Sequence, residues 1–91
     1  MNGKISFTAT GWEDYLYWQS HDKKTIRRIN ELLKDIVRNG PTNGIGRPEV
    51  LLGDLSGCYS RHINEKDRLV YAISAAGDIE VWQCHGHYSD K

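Results

Sequence analysis

The sequence predicts an α+β fold, with two N-terminal helices packed on one face of a small, mainly antiparallel β-sheet. Three observations carry this prediction. A β-rich run, Ile5–Thr8, opens the chain. Ile26, Ile29, Leu33 and Ile36 then recur at spacings of three and four, the period of one helix face. Finally, three β-rich runs, Cys58–Ile63, Leu69–Ser74 and Ile79–His85, follow one another across connections short enough for antiparallel hairpins.

Ile5–Thr8 reads as a first strand. Thr10-Gly11-Trp12-Glu13 fits a capping box, in which a hydroxyl and a carboxylate satisfy amides at a helix start. The helix it opens runs to about Ser20 and carries Trp12, Tyr15, Leu16 and Trp18, expected in the core because a chain this small needs its apolar groups there. Asp22 is a candidate N-cap for a second helix, with Leu32 and Val37 flanking its apolar stripe. Gly40-Pro41 ends that helix, since Gly suits the C-terminal turn and Pro cannot continue it. Residues 40–57 hold five glycines and both prolines. They read as a long loop with one short strand at Val50–Leu52, and long loops in small domains are often functional.

Leu, Ile, Val and Phe make up about a fifth of the 91 residues, enough for one modest core and one domain spanning 1–91. No apolar run approaches the ~20 residues of a membrane span, and no basic-then-apolar leader is visible, which predicts a soluble cytoplasmic protein. Cys58 and Cys84 are too few for a disulfide scaffold.

The net charge of zero excludes a uniformly basic coat, yet the charge is segregated. Residues 1–22 carry −2, residues 23–48 carry +5, and residues 49–91 carry −3. Lys23, Lys24, Arg27 and Arg28 head the basic third and are candidate RNA contacts, because such a stripe attracts polyanions. The alternative is a solvated helix face supported by pairs such as Arg27–Glu31.

No phosphate-binding G-x-x-x-x-G-K, H-E-x-x-H or G-x-S-x-G motif occurs. Cys84-His85-Gly86-His87 lacks the paired spacing of a zinc site, so no metal and no cofactor is expected. A Glu, an Arg and a His on converging segments would suffice for metal-free RNA cleavage, as proton acceptor, charge stabiliser and proton donor. Glu49, Arg68 and either His85 or His87 could supply them. Each also has a plain alternative: a loop charge, a hairpin ion pair, a residue near the end of the chain.

Several blocks then resemble the YoeB/Txe toxins of the RelE superfamily. They are Trp12–Gln19 with Asp22-Lys23-Lys24, Ile29–Ile36, Gly44–Leu51, Leu55–Ile63, and Arg68–Tyr71 with the His87-Tyr88 step. They stand in family order from about Ile5 to Tyr88. The resemblance implies a microbial-ribonuclease-like fold and the toxin of a type II toxin–antitoxin pair, an endoribonuclease that cuts mRNA in the ribosomal A site. It implies ribosome, mRNA and a YefM/Axe-like antitoxin as partners, with a homodimer left open. It gives Glu49 as general base, Arg68 as phosphate-stabilising arginine and His87 as general acid, with Tyr88 beside it. Arg61 and His62 stand at a phosphate-contacting arginine pair, and Arg47 stands where the family has a lysine.

The sequence departs from the family pattern in four places: His62 for the second arginine, Asp67 for a histidine, His85-Gly86 for an Arg-aromatic step, and Ser89–Lys91 beyond the tyrosine. Strand alternation would put His85 on the same side as His87, facing RNA. The rival functions are a non-cleaving A-site binder and a gyrase-poisoning relative of the same fold.

Overall fold

The computed structural model describes residues 3–87. β1 (Ile5–Phe7) leads into α1 (Ala9–His21) and α2 (Lys23–Asn39). A long loop reaches β2 (Glu49–Val50) and a single 3₁₀ turn at Gly53–Leu55, followed by β3 (Cys58–His62), β4 (Arg68–Ile73) and β5 (Ile79–Gln83). The strands lie in the order β1-β5-β4-β3-β2. β1 is parallel to β5, and the other pairs are antiparallel, so the expected fold class is the one found.

α2 forms as its apolar stripe requires. Ile29, Leu32 and Ile36 are fully buried against Leu69, Tyr71, Ile79 and Val81 of the sheet. Each such side chain contributes about 1.5–3 kcal/mol relative to exposure. Asp22 separates the helices and caps the second. Its carboxylate accepts from the Lys24 and Thr25 amides at 3.0 and 3.3 Å and from the Thr25 hydroxyl at 2.9 Å. At the other end the Gly40 amide donates to Ile36 O at 2.8 Å.

α1 differs from expectation in two respects. Its N-cap is Thr8, whose hydroxyl accepts from the Gly11 amide at 3.0 Å; Thr10 lies within the first turn. The reason is tertiary. Thr8 is held extended at the end of β1 by its amide on Val81 O at 2.9 Å and its hydroxyl on Trp82 O at 3.0 Å. The helix therefore begins immediately after it. The second difference is burial: Trp12 is 47% and Leu16 39% exposed, while Trp18 enters the core. Apolar groups are scattered around α1, and one face alone can meet the sheet. Trp18 fixes that face by donating its indole N–H to Cys84 O at 2.8 Å.

On the other side of the sheet Leu51, Cys58 and Val70 form a second, smaller cluster. β2 begins one residue earlier than the expected Val50–Leu52 and leaves Leu52 83% exposed. β5 ends at Gln83, not at His85. The Cys84 amide turns to Asp14 Oδ2 at 3.0 Å, and Gly86 adopts φ +84, so the strand's alternation stops before His85 and His87.

Candidate active site

Neighbouring residues of a strand face opposite sides of a sheet. Arg61 and His62 are consecutive in β3, so only one of them can face a shared cleft. Arg61 points to the helices and is fully buried. Its five N–H donors are all used. Nε donates to the Tyr71 hydroxyl at 3.0 Å, one terminal nitrogen reaches Asp35 Oδ2 and Ile45 O, and the other reaches Gly40 O at 2.9 Å and Asn43 O at 2.8 Å. Tyr71 completes the network by donating to Pro41 O at 2.7 Å. Arg61 is therefore not a phosphate contact. It anchors residues 40–45 of the glycine-rich loop from inside. Gly44 is required here, because a Cβ would lie 1.8 Å from Asp35 Oδ2. Burial works against ionisation of Asp35, but the hydrogen bonds from Arg61, Ile45 and Asn39 outweigh it and hold the carboxyl below its ordinary range.

The anchored loop delivers Arg47 and Glu49 to the other face. The His62 amide donates to Gly46 O at 2.7 Å, and Glu49 then pairs with Ser60. Arg47 takes a positive φ of 52, the one such non-glycine residue among those described, a conformation uncommon away from turns and functional sites. Across β3 and β4, His62 stands directly opposite Arg68. Arg28, Arg47, His62 and Arg68 line a cleft of about 410 Å³ together with Ile63, Asn64 and Glu65. Glu49 Oε1 approaches His62 Nε2 to 3.7 Å from the side. Burial, then the positive charges of Arg68 and Arg47, push the His62 pKa below 6.5 against the opposing pull of Glu49. The imidazole is therefore mainly neutral at pH 7.

Arg68 is fixed at both ends: its guanidinium donates to Asn64 O at 2.7 Å and Asp67 O at 3.2 Å, and its amide to Gly86 O at 3.0 Å. His87 follows Gly86 directly and is half-buried. Tyr88 lies outside the described residues. A second cleft, lined by Lys24, Arg27 and Arg28 with Asp22, Thr25 and Glu31, shares Arg28, Ile63 and Asn64 with the first. Together they make a continuous basic track; Lys23, exposed on the first turn of α2, is not among its lining residues.

His85 is not brought to this cleft. Its ring stacks on Tyr17 at 4.3 Å, and Tyr17 stacks on His21 at 3.9 Å, a three-ring pile against α1. Alternation had placed His85 beside His87, but the strand has already ended there. The thiol of Cys84 is pushed up to about 12, first by burial and then by Asp14 and Asp67, and burial also raises Cys58. Among the described residues, no three His, Cys, Asp or Glu side chains are grouped to hold a metal ion.

Residues 7–88 match the family model of the YoeB-like toxin of bacterial type II toxin–antitoxin systems. The chain belongs to the YoeB toxin family. Toxin YoeB of Synechocystis sp. is 51% identical over 93% of this chain and 96% of its own length. The YoeB of Escherichia coli K12 is 45% identical over 93% of this chain and 99% of its own. A heterotetrameric YoeB–YefM toxin–antitoxin complex from Staphylococcus aureus contains a chain that is 46% identical and superposes with a TM-score of 0.87, covering 97% of this chain and 100% of that one. YafQ of E. coli, at 13% identity and TM-score 0.76, shares the fold. The family match runs through α2, the loop and the β3–β4 hairpin, the pieces that line the cleft, and through the segment after β5.

Proposed function

We propose that this toxin is a ribosome-dependent endoribonuclease that cuts mRNA in the A site and so stops translation in the cytoplasm. The observation that carries this reading is the placement of His62 and Arg68 in one basic cleft with Glu49 beside His62, and of His87 on the segment bound to Arg68. Glu49 takes the proton of a ribose 2′-hydroxyl, and the freed oxygen attacks the adjacent phosphorus. Arg68, with Arg47 nearby, stabilises the charge that gathers on the phosphate oxygens. The bond from phosphorus to the 5′-oxygen breaks, and the His87 imidazolium gives that oxygen its proton. The products are a 2′,3′-cyclic phosphate and a free 5′-hydroxyl. Tyr88, the next residue in the chain, is proposed to assist His87. All the charge stabilisation in this scheme comes from guanidinium groups, so it calls for no metal.

The track from Lys24 and Arg27 through Arg28 to Arg68 suits an RNA backbone entering the cleft. The S. aureus complex and a YoeB dimer from the same organism make a YefM-like antitoxin and a second copy the proposed protein partners. Primer extension on mRNA from translating ribosomes tests the proposal. Discrete stops inside codons support cleavage. Stalled ribosomes on intact message would replace it with a non-cleaving A-site binder.

A further inference from the structure

We propose that Asp67 is a positioning residue for His87: its carboxylate grips the Gly86 amide and so sets where the imidazole stands. The inference rests on the cleavage reading above, in which His87 is the proton donor. It starts from an imbalance in the fold. Once β5 ends at Gln83, the segment carrying His87 no longer has a β-ladder to hold it. Cys84 is held by Asp14 and Trp18 of α1, and Gly86, next to His87, is held by the start of β4. The Gly86 N–H donates to Asp67 Oδ1 at 2.7 Å, and the Gly86 carbonyl accepts from the Arg68 N–H at 3.0 Å. Both polar groups of the residue before His87 are thus held by two consecutive residues, one of which is the charge-stabilising arginine. The φ of +84 at Gly86 is the conformation in which both groups are held this way.

Asp67 is itself immobilised. It is only 9% exposed. Its second carboxylate oxygen accepts from Asn64 Nδ2 at 3.0 Å, and its own amide donates to Asn64 Oδ1 at 2.8 Å. Its carbonyl accepts from the Ile63 amide at 3.0 Å and from the Arg68 guanidinium. A carboxylate on a backbone amide is a charge-assisted bond, stronger than the neutral pairing it replaces. One rigid hairpin therefore sets the position of the Arg68 guanidinium and the origin of the His87 side chain together. Asp67 and Gly86 are also two of the positions at which this sequence departs from its family's pattern, and here they are partners.

A proton donor displaced by about 1 Å loses on the order of a hundredfold in rate. The test compares Asp67→Ala and Asp67→Asn with wild type in single-turnover cleavage of ribosome-bound mRNA across protein concentrations. Thermal unfolding and hydrogen exchange at the Gly86 amide are read alongside. Asp67→Ala is expected to lower the maximal rate about tenfold to a hundredfold. The half-saturating protein concentration should stay the same, and the Gly86 amide should exchange faster. Asp67→Asn keeps an oxygen acceptor and should stay within about fivefold of wild type with its Gly86 amide protected. A wild-type maximal rate in Asp67→Ala, or a rate loss with unchanged Gly86 exchange, overturns the proposal. If Asp67→Ala does not fold, Asp67→Ser, whose hydroxyl falls one bond short of the carboxylate oxygen that the Gly86 amide meets, takes its place in both readouts. If wild type itself cuts nothing, the cleavage reading fails and this inference falls with it; Gly86 exchange in Asp67→Ala still reports separately whether the carboxylate holds the segment.

Discussion

Replacing Arg61 by alanine separates a buried anchor from a phosphate contact. In the structure the substitution leaves the Asp35 carboxylate, the Tyr71 hydroxyl and the carbonyls of Gly40, Asn43 and Ile45 without the fully buried donor that they share. Removing one member of a buried ion pair typically costs about 3–5 kcal/mol. A domain of this size has roughly 5–15 kcal/mol in total, so a large part of its stability should go. The corresponding fall in Tm is at least about 12 °C. Urea unfolding followed by tryptophan fluorescence measures the loss, since Trp18 packs in the affected core. The pH dependence supplies a second readout. A carboxyl lowered on folding, as Asp35 is, stabilises above its unfolded pKa, and that stability is lost as pH falls through its folded value. Arg61→Ala should therefore lose less on acidification than wild type does. A change below about 1 kcal/mol, joined to weakened ribosome binding, would refute the anchor and return Arg61 to the RNA.

Glu49→Ala, Arg68→Ala and His87→Ala should each slow cleavage by about 10²–10⁴ while leaving antitoxin binding intact, read by primer extension and titration calorimetry. His62 should titrate below 6.5 in an NMR series, and Arg68→Ala should raise its midpoint by removing a like charge. Since that imidazole is mainly neutral at pH 7.5, His62→Arg should strengthen ribosome binding there; no gain would show that position 62 does not face the RNA. Thr8→Ala should cost about 0.5–2 kcal/mol in urea unfolding and Thr10→Ala much less, the reverse of what a cap at Thr10 requires. Cys58 and Cys84, both buried with raised pKa values, should resist a thiol reagent at pH 8 until the protein unfolds.

What the sequence disclosed follows from how local each signal is. α2 was legible because its stripe is one-sided and its stops are chemical: Asp22 at one end, Gly40-Pro41 at the other. The cap of α1 was not, because Thr8 is selected over Thr10 by hydrogen bonds to Val81 and Trp82, more than seventy residues away. Glu49 and Arg68 were assigned their roles by family resemblance alone, and the β2–β3–β4 register puts them on the same face. Arg61 was misread because an arginine in a motif carries no mark of burial. The alternation of β3 could have warned that Arg61 and His62 cannot share a cleft. Asp67 stood in the sequence only as a departure from the family's pattern, because its partner, the Gly86 amide, lies 19 residues away.

The strand order also bears on when this protein becomes dangerous. Residues 5–7 have one strand neighbour, residues 79–81, and the parallel pairing between them spans nearly the whole described chain. A polypeptide emerging from its own ribosome N-terminus first can form α1 and α2 early. It cannot seat β1, cap α1 on Val81 and Trp82, or bring Gly86 to Arg68 until β5 and the segment after it are free. The order of synthesis thus acts as a safety catch. A molecule proposed to attack translating ribosomes has its proposed proton donor, His87, seated only when the chain is nearly finished.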